Sequence, residues 1–301
     1  MKGQLFREIK RDYLLYIMLI VPLVMCILFS YLPMYGLIIA FKKYDLVTGL
    51  KGTDWVGFKY FIQFFNDPYC FRLIRNTLLL GFFNLLCLFP MPIIFALLLN
   101  EVRNSHFKKI VQSVSYFPYF VSVVIVIGLL FEFVSNEGFI NKLLVSVTGN
   151  SINFLGNSSW FRPLYIFTEL WQKTGYASIV YLAALTGISN ELYEAAYIDG
   201  ANRWKQTLHV TLPGLLPTMI VILILNVGKQ INISFEKVLL MYNPAIYETA
   251  DVLSTYIYRR GIQGMDFSYS AAIGLFNSLV ALLLVVVANY LSKRASSESI
   301  W

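Results

Sequence analysis

Charged side chains are scarce in this chain of 301 residues: Asp, Glu, Lys and Arg make up 14% of it, against 57% hydrophobic residues. That shortage excludes an ordinary soluble domain, in which about a quarter of the residues are charged. Histidine is scarcer still. His106 and His209 are the only two and fall in different segments, which argues against a metal centre or a histidine-based catalytic site. Three cysteines, Cys26, Cys70 and Cys87, cannot build a disulfide framework and carry no message about redox compartment. No Gly-x-x-x-x-Gly-Lys-Ser/Thr loop occurs, so nucleotide hydrolysis through a P-loop is not expected on this chain. Internal repeats, low-complexity segments and Pro/Gly/Ser-rich linkers are also missing, which points to one domain over residues 1–301.

What is present are long runs free of charge, at 13–41, 76–100, 110–131, 207–228 and 267–292, each longer than the roughly 20 apolar residues that cross a bilayer. A sixth run, 163–189, is equally apolar apart from Glu169 and Lys173. The expectation is an all-α integral membrane protein with six transmembrane helices. The first run is too long for a signal-peptide core and no small-x-small site closes it, so it reads as a membrane helix.

The net charge of +7 does not indicate nucleic acid, because the basic residues lie in short segments between the runs rather than in one patch. With a cytoplasmic N-terminus, the inside segments carry Lys and Arg at about twice the density of the outside ones, which favours both termini in the cytoplasm. Pro90, Pro92 and Pro118 fall within runs and should kink or unwind them. The segment 35–75 holds Trp55, Phe58, Tyr60, Phe61, Phe64 and Phe65, which reads either as an interfacial aromatic belt or as a docking surface.

The longest inside segment, 188–213, reads as helix, turn, helix. Ser189 can cap the first helix, Glu191 and Glu194 suit its positive N-terminal end, and Gly200 supplies a left-handed stop. A second helix restarts at 201–209, and Pro213 marks entry into the next span. Leu192, Ala195, Ala196, Ile198, Trp204 and Leu208 give this hairpin an apolar face that calls for a protein partner.

Glu194, Ala195 and Ala196, then Gly200, then Val210, Leu212 and Pro213 resemble the cytoplasmic signature (the EAA motif) of inner-membrane permease subunits of binding-protein-dependent ABC importers, with Val210 in place of Ile as the departure. The segment from Trp55-Val-Gly-Phe58 through Phe64-Phe65 to Asn76-Thr-Leu78 looks like the outer segment of sugar-importer permeases, and the stretches Tyr242-Asn-Pro244, Ala250-Asp-Val252, Thr255–Arg259, Phe267-Ser-Tyr269 and Ala272–Phe276 look like the narrower group that imports oligosaccharides and polysaccharide fragments, the LplB type. The resemblance implies the type I ABC importer permease fold in a bacterial cell membrane. It also implies a coupling hairpin at 188–213, with Glu194, Ala195, Ala196, Gly200, Leu212 and Pro213 docking on an ATPase. Partners would be a second permease subunit, two cytoplasmic ATPases that bind ATP and Mg, and an extracytoplasmic solute-binding protein. The chain itself would be no enzyme and hold no cofactor.

A solute path through lipid needs inward-facing polar groups. Glu169, Gln172, Lys173 and Tyr176 share one helix face at i, i+3, i+4 and i+7, and Asn226, Lys229 and Gln230 repeat the start of that pattern in the next span. These seven are the candidate pathway residues. The plainer account pairs Glu169 with Lys173 and lets Lys229 snorkel to the interface. If both lysines face the path, one positive charge is left over and an anionic sugar such as a uronic-acid fragment is favoured; if not, the path is neutral. Glu169 alone also keeps open an ion-coupled secondary transporter of a polar solute.

Overall fold

The computed structural model describes residues 11–47, 49, 53–230 and 234–296. Among these the chain is helical, with two isolated bridges, Lys42 with Trp55 and Asp45 with Gly49, as the only β pairing. Five helical stretches are long and apolar enough to cross a membrane: Tyr13–Phe41, Cys70–Glu101, Val123–Thr148, Arg203–Val227 and Phe267–Arg294. The chain divides into two compact units, residues 1–67 with 257–275, and residues 68–256 with 276–301.

In the first unit, α1 (Tyr13–Cys26) continues through a π turn into a 3-10 segment ending at Phe41. None of the hydrophobic window of this stretch is buried within the chain, which leaves its apolar surface to lipid or another subunit. Phe41 gathers the aromatic residues that follow: its ring stacks on Trp55 with centroids 5.6 Å apart and meets Phe58 and Phe61 at 5.5 and 5.4 Å. Ser268 ties strand-like residues to the final helix, accepting from the Tyr44 backbone N–H at 2.9 Å and donating to the Lys42 carbonyl at 2.7 Å.

The second unit begins with α2 of the membrane part, Cys70–Leu88, followed after Phe89 by α3, Pro90–Glu101. Pro90 lacks the N–H that would continue the ladder, so the expected interruption falls on the residue before it. The run at 110–131, expected as one span, is divided instead: α4 (Ser105–Tyr116), a 3-10 turn at Phe117–Phe120, and α5 (Val123–Val134). Pro118 opens that turn, Val121 is extended, and the Ser122 hydroxyl restarts the helix by accepting from the Ile125 N–H at 3.4 Å. A further helix, α6 (Phe139–Thr148), follows.

The central element is α7, Ser158–Thr186, 29 residues long. It buries Phe161, Tyr165, Thr168, Glu169, Gln172, Gly175, Ser178, Tyr181 and Leu185, a repeat of three to four residues that turns one continuous stripe inward. Because that stripe is largely polar, α7 is the one long helix missing from the apolar set. At Gly175 the backbone approaches the Ser115 carbonyl so closely that a Cβ would collide with it. Toward one end of α7, Ile93, Ala96, Tyr181, Leu185 and Leu215 form a core; toward the other, Phe161 and Tyr165 join Leu80, Leu130, Val238 and Val252 in a second.

Candidate functional site

The polar stripe of α7 opens on a cavity of about 590 Å³ lined, among others, by Asn84, Tyr119, Tyr165, Glu169, Lys173, Tyr176 and Asn226. Four of the seven residues expected along a pathway, Glu169, Lys173, Tyr176 and Asn226, thus share one space. Gln172 does not line it. Its Nε2 donates to the Val121 carbonyl at 2.9 Å, satisfying an acceptor freed by the break after Pro118. Lys229 and Gln230 have side chains outside the described residues.

The second lysine of the site is Lys237, which the sequence reading missed. It sits in a short helix, α10 of the chain, Phe235–Met241, wholly buried. Its Nζ donates to Glu169 Oε1 at 2.6 Å and to Gln172 Oε1 at 3.2 Å, and lies 5.7 Å from the centre of the Tyr165 ring. Glu169 Oε2 takes the other lysine, Lys173, at 2.5 Å. One buried carboxylate therefore holds two ammonium groups, one on each oxygen, and the trio carries a net charge of +1. Lys173 is 39% exposed in its side chain while Glu169 and Lys237 are at 1% and 0%, so the surplus charge faces the cavity through Lys173.

This geometry joins the two earlier accounts: Glu169 does pair with Lys173, yet a positive charge is still left over because Lys237 is also present. It also weakens the ion-coupled alternative, since both oxygens of Glu169 are engaged by lysines. The signal for Lys237 in the sequence was a lysine directly followed by Val238, Leu239, Leu240 and Met241 in a segment that had read as outer loop. In the same cavity the Tyr119 and Tyr176 rings stack with centroids 3.9 Å apart, which adds an aromatic surface to a lining that includes Lys173.

At the far end α7 runs directly into the hairpin. Ser189 caps α8 (Asn190–Ile198) by accepting from the Glu191 N–H at 3.2 Å. Gly200 has φ +76°, and the N–H groups of Gly200 and Ala201 close on the Tyr197 and Ala196 carbonyls at 3.0 and 2.9 Å, the left-handed stop expected there. The next helix, α9, restarts at Arg203 rather than at 201, because Asn202 caps it through the Lys205 N–H at 2.9 Å. It then continues through a π turn at Thr207–Thr211 into the following long helix, which contains Leu212 and Pro213. Tyr193 and Thr211 hydroxyls meet at 3.1 Å and hold the two arms together. Glu194, Ala195 and Gly200 are exposed, and Tyr197 and Ile198 are 76% and 84% exposed, apolar surface outside the long apolar helices; Trp204, at the start of the next such helix, is 70% exposed. Glu194 lies in a shallow cavity with Tyr193, Tyr197, Ile198, Arg203 and Gln206.

Comparison with known proteins supplies the context for both sites. The family described as binding-protein-dependent transport system inner membrane component matches residues 71–297. Protein LplB of Bacillus subtilis is 46% identical over 97% of this chain and 92% of its own length. The polygalacturonan/rhamnogalacturonan transport system permease protein YteP of the same organism is 44% identical over 100% of this chain and 94% of its own. Among solved structures, a chain of a bacterial ABC transporter involved in the import of the acidic polysaccharide alginate aligns with a TM-score of 0.90 and 43% identity, covering 97% of this chain and 99% of that one.

Proposed function

We propose, for a chain that belongs to the family of binding-protein-dependent transport system inner membrane components, that it is the permease subunit of an ATP-driven importer of oligosaccharides, with acidic polysaccharide fragments as the preferred cargo. Its relatives include a polygalacturonan/rhamnogalacturonan permease, and its structural neighbour belongs to an alginate importer that was also solved with an alginate pentasaccharide-bound periplasmic protein. The observation that carries the reading is the layout of α7: one helix lines the charged cavity and, after a short turn at 187–189, is followed by the exposed hairpin.

In this reading residues 1–301 form one permease domain with six membrane crossings, α7 being the sixth, and both termini lie on the cytoplasmic side with the hairpin. Glu194, Ala195, Ala196 and Gly200 dock on a separate ATPase, and Leu212 and Pro213 carry its movement into the following span. Two ATPases, a second permease subunit and a solute-binding protein complete the machine; ATP and Mg belong to the ATPases, and this chain contributes no catalytic residue. Substrate passes beside Lys173, Tyr176 and Asn226, with the Tyr119–Tyr176 stack offering a face for sugar rings and Lys173 a cation for their carboxylates.

The test is uptake by the reconstituted complex of an oligouronate and of its carboxyl-reduced, neutral analogue. ATP-dependent import with the acidic sugar favoured is expected. Uptake driven by an ion gradient in the absence of the ATPases would overturn the reading, and equal rates for the two sugars would overturn the acidic preference.

A further inference from the structure

At the end of α7 remote from the hairpin, Arg162 meets arginines of α2 that the cavity does not explain. Arg162 lies in the second turn of α7, and Tyr165, Glu169, Lys173 and Tyr176 follow it at i+3, i+7, i+11 and i+14, all on one face of the helix. Those four line the cavity. About 36 Å of helix separates Arg162 from Thr186, enough to cross the hydrocarbon core, so in the importer reading the two ends of α7 lie at opposite faces of the membrane.

Arg162 is held in place by an amide. Its Nη2 donates to Asn76 Oδ1 at 3.0 Å, and the wholly buried Asn76 gives its own Nδ2 protons to the carbonyls of Glu248 and Asp251 at 2.8 and 3.1 Å. Arg75 reaches the same Glu248 carbonyl at 3.4 Å. Two guanidinium groups thus converge on one amide and one carbonyl, close enough for their charges to repel. Their neighbour Arg72 differs in having a carboxylate, buried Asp251, at 3.6 Å; it lies over the Tyr69 ring at 4.7 Å, and its Nε, like that of Arg162, is buried without a hydrogen-bond partner. Arg162 and Arg75 are given only uncharged acceptors, and the Nε of Arg162 is buried without a hydrogen-bond partner. Like charges brought together by a scaffold are stabilised when an anion joins them, and the planar fork of a guanidinium matches the two-oxygen geometry of a carboxylate.

We propose that Arg162 and Arg75 form an outer carboxylate subsite that receives one uronate of an acidic oligosaccharide before the chain advances to Lys173. This inference rests on the importer reading above. Arg162 shares its helix face with the cavity and sits beside buried Asn76, which places the subsite on the path rather than on a flat docking surface. Roughly 16 Å of helix lies between Arg162 and Lys173, so an oligomer with several carboxylates reaches both cations and a monosaccharide does not.

The experiment uses the complete complex in vesicles and varies the concentration of sugar-loaded binding protein, loaded with either an oligouronate or its carboxyl-reduced analogue. For Arg162→Gln and Arg75→Gln the half-saturating concentration should rise about tenfold for the acidic sugar relative to the neutral one, the loss of one charge-assisted contact. Arg162→Lys should retain most of the preference. The neutral sugar measured on each variant is the control for folding. An equal shift for both sugars, or none for either, overturns the subsite. So does a fall in ATP hydrolysis stimulated by binding protein carrying the neutral sugar, which would make the arginines a contact with the binding protein. Wild-type complex that imports neither sugar overturns the importer reading and the subsite together, whereas wild-type import of the acidic sugar with unshifted variants overturns the subsite alone.

Discussion

Glu169 and Lys237 illustrate how much a single buried ion pair can commit a structure to. Lys237 has no exposed surface and its ammonium is satisfied by Glu169 and Gln172. Removing the carboxylate leaves that charge buried without a counter-ion, which costs far more than the pair contributes over an apolar replacement. Glu169→Gln is therefore expected to destabilise the detergent-purified protein by about 3–5 kcal/mol, read as a lower unfolding midpoint, while Glu169→Gln combined with Lys237→Met recovers most of the loss. A double variant no more stable than the single one would refute this account. Lys173 is different, since it is partly exposed to the cavity: Lys173→Gln should leave the midpoint nearly unchanged and lower the preference for acidic over neutral sugar in uptake assays. Sequence periodicity found Glu169 and Lys173 because both lie on one helix, where spacing reports the face. It could not find Lys237, which is 68 residues from its partner in the chain and meets it only through folding.

At the scale of the element, two glycines have distinct physical jobs. Gly200 takes φ +76°, a conformation that a β-branched residue resists by about 1–2 kcal/mol, and there is open space where its Cβ would go. Gly200→Val should thus disturb the turn and not the packing: membrane yield stays at wild-type level while ATP hydrolysis stimulated by loaded binding protein falls. Normal stimulation in the assembled variant complex would sink the idea. Gly175 is the reverse case, in an ordinary helical conformation but pressed against the Ser115 backbone. Gly175→Ala has to push α4 and α7 apart, an overpacking cost of about 1–3 kcal/mol that should appear as a lower unfolding midpoint. The glycine of the turn was legible in the sequence because a helix stop has a local grammar; the glycine of the contact was not, because its reason lies in another helix.

For the whole molecule, exposed Glu194 beside Tyr197 and Ile198 is the place where the proposed docking on an ATPase is tested. Placing the opposite charge there, Glu194→Lys, should reduce the amount of ATPase that copurifies with the permease without lowering the permease itself, because like charges at an interface repel. Recovery of ATPase at the wild-type ratio would count against the docking role. The apolar run Tyr13–Phe41, whose most hydrophobic window has no buried residue, belongs to the same scale, since that surface is completed only by lipid or by another subunit.

The sequence by itself determined the helical, membrane-spanning character of the chain, the position of the hairpin and the family signature, because apolar run length, caps and a left-handed glycine all act over a few residues. It also placed the polar stripe of α7, while giving that helix a charge content that separates it from the plainly apolar spans. Pro118 marked the interruption of the run at 110–131 in advance, but tertiary structure alone decided that Gln172 serves the carbonyl exposed by the break at 117–122. It alone decided, too, that Glu169 is shared by Lys173 and Lys237 and that Arg162 and Arg75 converge on Asn76 and the Glu248 carbonyl. The physical reason is common to these cases: the electrostatics of a buried group depend on which distant residues replace its water, and no local pattern in the chain records that.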